Sequence, residues 1–171
     1  MPADPVGASS LVMPSPIGRL ELLARDGALV GIRFDAASDG TPGTRREGTD
    51  VLREARIQLG EYFEGRRRVF DLPLRPVGTA FQQRVWTALA DVPWGTTTTY
   101  GALARLLGLP AGASRAVGAA NGANPLPVVL PCHRVVGSDG TLTGYAGGLE
   151  RKALLLRLEG VATAADQDAL F

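Results

Sequence analysis

The sequence predicts an α+β fold: a small N-terminal antiparallel β-sheet lobe with a helix, followed by a mostly helical C-terminal lobe with a helix-turn-helix. Two short apolar runs lie near the N-terminus on either side of a turn signal. In the second half, apolar residues recur at helical spacing, and a glycine-containing turn separates two short helical stretches. We place the lobe boundary between residues 78 and 79, which gives a support lobe (1–78) and a second lobe (79–171).

The first lobe is predicted to begin with a β-hairpin. Leu20–Ala24 and Ala28–Phe34 are apolar runs, and the intervening Arg25-Asp26-Gly27 is typical of a hairpin turn. Residues 36–49 are rich in Gly, Ser, Thr and Pro, so we expect a loop. Asp50 is expected to cap a helix whose apolar residues, from Val51 to Phe63, fall on one face. No residue of this lobe indicates chemistry.

The second lobe is predicted to contain three helices before its most reactive segment. The first runs from about Thr79 to Ala90, the second follows Thr99 over 100–107, and the third spans about 113–121 after a turn at 108–112. Two short helices joined in this way form a helix-turn-helix, although many protein cores contain similar corners. The third helix is almost entirely Ala and Gly. Major-groove reading needs long polar side chains, whereas small residues allow a backbone to approach a shallow groove closely.

The only cysteine, Cys132, lies directly beside the only histidine, His133. A thiol beside an imidazole is typical of sites that form a thiolate near neutral pH. The alternative is a buried structural cysteine, since neighbouring side chains on a strand point to opposite faces. The proline-rich residues 124–131 predict a short apolar strand that ends at Cys132, with Pro131 holding the thiol at a stiff corner. This placement favours a nucleophile.

Charge and composition narrow the function classes. The net charge is +1, but residues 1–78 are neutral, and residues 79–157 hold seven basic and three acidic residues, a net charge of +4. This is a modest footprint for a nucleic-acid partner, and ordinary surface charge is the alternative. One Cys and one His cannot form an internal disulfide or a Cys/His zinc site. We expect no metal, no cofactor, no membrane partner and a cytoplasmic location.

Six ordered blocks of the sequence resemble the O6-alkylguanine-DNA alkyltransferase family, also called methylated-DNA–protein-cysteine methyltransferases. The resemblance is specific from about Phe81 to Gly160 and weaker over the first 78 residues. The blocks are TAFQQRVW (79–86), VPWG (92–95), TYG (99–101), SRAVG (114–118), LPCHRVV (130–136) and TGYAGG (143–148).

This resemblance implies direct reversal of alkylation damage in double-stranded DNA, carried out by the 79–171 lobe. Cys132 would take the alkyl group from O6-alkylguanine after nucleotide flipping, in one irreversible transfer that inactivates the protein. Activity on O4-alkylthymine is left open. No obligate protein partner is implied, so we expect a monomer, and cooperative assembly on DNA is left open.

The resemblance also assigns catalytic roles to five residues. His133 would accept the Cys132 proton through a bridging water, and Glu159 would orient the imidazole. Tyr100 would donate a proton to guanine N3, and Asn124 would tie the third helix to the active-site turn.

The remaining residues that the resemblance implies contact the nucleic acid. Docking would be in the minor groove, with Arg115 filling the gap that the flipped nucleotide leaves. Ala146 stands where relatives carry Ser. The expected DNA-binding residues are Thr99, Arg115, Ala116, Gly118, Ala119 and Arg134. The expected alkylguanine pocket comprises Pro127, Val135, Tyr145, Ala146 and Gly147.

Two other functions are compatible with parts of this pattern. A non-catalytic protein that binds alkyl lesions in DNA would share the second lobe, but such proteins replace the cysteine, so Cys132 argues against this function. A cysteine hydrolase would use the Cys132–His133 pair on an acyl substrate and would turn over repeatedly.

Overall fold

The computed structural model describes residues 8–36 and 50–163. The chain divides into two compact units on either side of the Val77–Gly78 peptide bond. The first contains a three-stranded antiparallel sheet and a helix, and the second contains helices, a 3₁₀ turn and a pair of short parallel strands. The predicted α+β fold is therefore confirmed. No helix in the described part of the chain is long and apolar enough to cross a bilayer.

The sheet of the first unit has the strand order β1-β2-β3. The β2–β3 hairpin is the predicted one, and left-handed Asp26 (φ 49°) and Gly27 (φ 76°) form its two-residue turn. Strand β1 was not predicted, because its residues show no regular alternation of apolar and polar side chains. The strands are β1 (Ser9–Met13), β2 (Leu20–Arg25) and β3 (Ala28–Phe34).

Helix α1 (Asp50–Phe63) completes the first unit. Asp50 is its first helical residue rather than the residue before it. The predicted apolar face is buried, with Leu52, Leu59 and Tyr62 at 0% exposure. The loop predicted over 36–49 falls, from residue 37 onward, outside the described residues.

The second unit contains the predicted helix-turn-helix. Thr79 and Gln82 form a reciprocal capping box at the start of α2, and the Thr99 hydroxyl caps α3 by accepting from Ala102 N (3.0 Å). Helices α3 and α4 pack against each other. The elements are α2 (Ala80–Leu89), β4 (Thr98–Thr99), α3 (Tyr100–Leu106), α4 (Ser114–Gly122), the 3₁₀ turn (Cys132–Arg134), β5 (Val135–Val136) and α5 (Leu149–Leu158).

The strand predicted before Cys132 does not form. Pro131 (φ −80°, ψ 65°) is instead the centre of an inverse γ-turn, in which Cys132 N donates to Leu130 O at 2.8 Å. Val128 has a positive φ of 73°, which is rare for a β-branched residue. The prolines of this segment lack amide hydrogens and cannot complete a strand ladder. The predicted stiff corner at Cys132 is therefore present, but turns form it instead of a strand.

Candidate active site

Cys132 opens the 3₁₀ turn and is almost completely buried, with 4% of its surface exposed. Its carbonyl faces helix α4, where Asn121 Nδ2 lies 3.4 Å from it. The turn leads directly into β5, whose Val135 and Val136 pair in parallel with Thr98 and Thr99 of β4. This pairing therefore fixes the position of the reactive turn relative to the start of helix α3.

Burial determines the protonation state of the Cys132–His133 pair. Removal from water raises the pKa of the Cys132 thiol to about 11, although a hydrogen bond from Asn124 and the charge of Lys152 lower it. Burial also lowers the pKa of His133, against the opposing effect of Glu159. The sequence predicted a thiolate near neutral pH. The resting protein instead holds a neutral thiol beside a neutral imidazole.

His133 is oriented by Glu159, which caps the C-terminal end of α5. The imidazole Nε2 lies 2.7 Å from Glu159 Oε1, and both side chains are fully buried. A neutral imidazole donates through the nitrogen that faces a carboxylate, so Nε2 carries the hydrogen and Nδ1 is an acceptor. Among the described residues, Nδ1 has no hydrogen-bond partner. The arrangement therefore leaves one basic nitrogen able to receive a proton.

Arg134 was expected to contact DNA, and the structure contradicts this. Its guanidinium is buried and donates to both Glu159 oxygens, from Nε to Oε2 at 2.9 Å and from a terminal nitrogen to Oε1 at 2.8 Å. A further hydrogen bond goes to the Val92 carbonyl. Because a buried carboxylate needs a counter-charge, Arg134 supports the His133–Glu159 pair rather than a phosphate.

Asn124 braces the turns that precede the cysteine. Its Nδ2 donates to Leu130 O at 2.8 Å, and its Oδ1 accepts from Leu126 N at 2.9 Å. The contact from helix α4 to the reactive turn comes from Asn121, which the sequence reasoning did not identify.

Tyr100, at the start of α3, faces the loop that follows β5. Its hydroxyl donates to Thr143 O at 3.2 Å and accepts from Thr143 Oγ1 at 3.3 Å. Tyr145, two residues further along, lies near Cys132: burial, with a smaller effect of Cys132, raises the pKa of its phenol. The loop therefore connects the phenol of Tyr100 with the surroundings of the thiol.

A groove of about 920 Å³ lies over this region. Arg115 is exposed on α4 at its edge, and a Cβ placed on Gly118 would lie 3.6 Å from the Tyr100 ring, which is an ordinary contact. Packing within the protein therefore does not explain why residue 118 lacks a side chain. The groove is lined by Thr99, Tyr100, Gly101, Arg105, Ser114, Arg115, Gly118, Gly122, Ser138, Thr143, Gly144, Tyr145 and Ala146.

The other predicted contact residues lie outside this lining. Ala116 and Ala119 are exposed on α4, whereas Pro127 and Val135 are buried. The Gly147 carbonyl accepts from Arg151 of α5 at 3.1 Å. Seven of the groove residues were not among the predicted site residues: Gly101, Arg105, Ser114, Gly122, Ser138, Thr143 and Gly144.

The most prominent residue that the sequence reasoning missed is Lys152. It is fully buried, and its Nζ donates to Val135 O and Thr143 O, both at 2.6 Å. Two signals pointed to it. The chain contains 17 arginines and only this one lysine. It also lies three and four residues before the buried Leu155 and Leu156 on α5, which is the spacing of one helix face. Within the described residues, no three His, Cys, Asp or Glu side chains could together hold a metal ion.

Comparison with known proteins extends over both units. Residues 80–161 match the family described as 6-O-methylguanine DNA methyltransferase, DNA binding domain, and residues 11–76 match its ribonuclease-like domain. A methylated-DNA–protein-cysteine methyltransferase of Methanosarcina acetivorans is 45% identical over 151 residues, covering 87% of this chain and 96% of the relative. One from Mycolicibacterium paratuberculosis is 48% identical over 146 residues, covering 85% and 88%.

Solved structures agree with these sequence matches. The crystal structure of Mycobacterium tuberculosis O6-methylguanine methyltransferase is 41% identical with a TM-score of 0.79, covering 96% of this chain and 99% of that one. Mycobacterium tuberculosis OGT in complex with DNA is 42% identical with the same TM-score, covering 92% and 96%. The identities and the coverage together establish that this chain belongs to the methylated-DNA–protein-cysteine methyltransferase family.

Proposed function

We propose that this protein repairs double-stranded DNA by moving an alkyl group from guanine O6 to Cys132, once per molecule. The observation that carries the proposal is the thiol itself. It is buried beside an imidazole that has one nitrogen bonded to a carboxylate and the other without a partner among the described residues. The groove of the same unit is lined mainly by small residues, together with Tyr100, Tyr145 and two arginines, one of which is Arg115.

Activation of the thiol follows from the neutral resting pair. With its pKa raised to about 11, Cys132 keeps its proton until the alkyl carbon is in place. His133 Nδ1 then takes the proton through a water, as a general base, while Glu159 stabilises the imidazolium that forms and Arg134 holds Glu159 in place. Proton loss therefore accompanies transfer rather than preceding it.

The transfer step is an in-line displacement at the alkyl carbon. The S–C bond forms as the C–O6 bond breaks, and the electron pair of that bond moves onto the guanine ring. Tyr100 donates a proton to N3, so the leaving group is neutral guanine. Solvent then carries the extra proton of His133 back to Tyr100. A thioether with no second thiol nearby cannot be cleaved, and the molecule is spent.

The DNA surface explains how one site reaches a lesion in any sequence. An alkyl group on O6 lies in the major groove of the duplex, so the nucleotide must rotate out to meet a buried thiol. Helix α4, with exposed Ala116 and Ala119, can approach the minor groove closely, and Arg115 can fill the space left in the stack. Backbone groups of Cys132 and Val135 then face the guanine edge.

The same proposal includes the partner, the assembly and the location of the protein. One molecule carries every group of the site, so a monomer suffices on DNA that contains alkylated guanine. An acceptor thiol must stay reduced, which fits the cytoplasm.

The test is intact mass with peptide mapping after mixing the protein with excess duplex that contains one O6-methylguanine. We expect one added methyl group, located on Cys132, and no further turnover. The Cys132→Ala variant should bind the same duplex and gain no mass. An unmodified wild-type protein that binds the lesion would replace this proposal with a non-catalytic lesion binder.

A further inference from the structure

Lys152 is the one lysine of a chain that carries 17 arginines, and its side chain is fully buried on helix α5. A buried ammonium is strongly disfavoured unless it is hydrogen-bonded and near a negative charge. None of the proposed catalytic steps uses it.

The two acceptors of Lys152 belong to two different segments, the strand after the reactive turn and the loop after that strand. Val135 follows the 3₁₀ turn that contains Cys132, and Thr143 lines the groove. The Thr143 carbonyl receives the Tyr100 hydroxyl as well as the ammonium. Lys152 therefore links the reactive turn, the loop after it and the proposed proton donor through two carbonyl groups.

The geometry explains why this position holds lysine in a chain that otherwise uses arginine. An ammonium is a compact charge with three rotatable donors, so it can sit between two carbonyls that converge on one point. A guanidinium is a wide planar fork and suits the bidentate contact that Arg134 makes with Glu159.

In the described part of the chain, Cys132 is the group whose charge acts on that of Lys152. Glu159 is already bonded to Arg134 and His133. The remaining neighbour is Cys132, whose thiol pKa the charge of Lys152 lowers. Burial lowers the pKa of Lys152 to about 8, and Cys132 has the opposite, smaller effect.

We propose that Lys152 is a positioning residue for repair, which fixes the Val135 and Thr143 carbonyls beside the site that would receive the flipped base and supplies positive charge to the surroundings of the Cys132 sulfur during transfer. The inference rests on the proposed function. A carbonyl oxygen has two lone pairs, so the fixed Val135 carbonyl would also accept a hydrogen from the 2-amino group of guanine. Lys152 thereby contributes to selection of the base without touching it.

The first experiment compares Lys152→Met with Arg157→Met, which removes an exposed cation from the same helix. Single-turnover transfer is measured from duplexes that contain O6-methylguanine or O6-methylhypoxanthine, which lacks the 2-amino group. The wild type and Arg157→Met should prefer guanine. Lys152→Met should transfer more slowly from both duplexes. Its ratio of the rate on O6-methylguanine to the rate on O6-methylhypoxanthine should be at least about tenfold smaller than that of the wild type.

The preference separates positioning from general damage to the fold. An equal loss on both bases in Lys152→Met, or no preference in the wild type, would overturn the role in base selection. If the wild type accepts no methyl group at all, the proposed function fails instead. The two failures are therefore distinguishable.

A second experiment needs no substitution, because lysine labelled with ¹³C and ¹⁵N gives one side-chain signal in this chain. Its NMR titration gives the midpoint at which Lys152 loses its proton, about 8. Single-turnover transfer from lesion duplex is recorded over the same pH range. We expect transfer to slow as the pH rises through that midpoint, because the ammonium loses its charge. A transfer rate that does not fall across the midpoint would contradict the charge role of Lys152.

Discussion

The two units differ in what they bury. In the described part of the first unit, the buried polar residues are Ser10 and Gln58, and Gln58 is satisfied by the main chain of Asp71. The second unit buries four ionisable side chains around its cysteine: His133, Arg134, Lys152 and Glu159. Charged groups cost free energy when they are removed from water unless they are paired. The difference teaches that the chemistry of this protein is located where burial is least favourable.

The largest expected effect comes from removing the central charge of that cluster. Glu159→Gln leaves Arg134 buried without its carboxylate, so we expect a loss of about 3–5 kcal/mol in the free energy of unfolding. Urea unfolding measures this. The reference is Glu21→Gln in the first unit, and equal losses in the two variants would remove the contrast between the units.

A core truncation in the first unit should change stability without changing chemistry. Leu59 is fully buried on α1, and Leu59→Ala should cost about 2–5 kcal/mol through lost contacts and a cavity. The amount of methyl group accepted per folded molecule should stay at one, as measured by intact mass. A folded variant that accepts less would show that the first unit takes part in the reaction.

The pH response should reveal the buried thiol. Because the pKa of Cys132 is raised from 9.0 to about 11, the folded protein holds its proton more tightly than the unfolded chain does. The resulting stabilisation, roughly 2–3 kcal/mol, is fully present below pH 9 and is lost as the pH rises towards 11. The difference in thiolate absorbance at 240 nm between the wild type and Cys132→Ser should have its midpoint near 11 when folded. A folded midpoint near or below 9 would be inconsistent with burial as the dominant effect.

Exposed arginines in the two units should differ in function rather than in stability. Arg115→Ala should slow transfer from lesion duplex about 10- to 100-fold while leaving transfer from free O6-benzylguanine unchanged, because only the duplex requires flipping. Arg66→Ala, an exposed arginine of the first unit that pairs with Glu64, should change neither rate. Equal losses on duplex and free base would remove the flipping role of Arg115.

The smallest effect is expected for an exposed ion pair. In the first unit, a terminal guanidinium nitrogen of Arg33 lies 4.0 Å from Glu21 Oε2, and both side chains are partly exposed to solvent. Glu21→Gln should therefore cost less than about 1 kcal/mol, and added salt should reduce the cost further. A loss as large as that of Glu159→Gln would mean that burial is not the deciding variable.

Local signals made much of the fold predictable. Thr79, Gln82 and Thr99 form caps through side chains within three residues, and Asp26-Gly27 supplies the left-handed turn of the hairpin. Strand β1, by contrast, depends on pairing with β2, so tertiary contacts define it.

The site was predictable where chemistry follows from residue type. Cys132, His133 and Glu159 could be named from the sequence and its resemblance, whereas the burial of Arg134 depends on a carboxylate 25 residues away. The strand expected before Cys132 failed because apolar character was given more weight than its prolines. Lys152 was missed because it was counted only as part of the net charge.

The burial of Lys152 also determines how the folded protein meets reagents that acylate amines. The chain has no other lysine, so its surface offers no ε-amino group. Acetylation or attachment of a ubiquitin-like tag at a lysine would first require α5 to open. Amine-reactive dyes applied to the folded protein should accordingly leave Lys152 and the repair site unmodified.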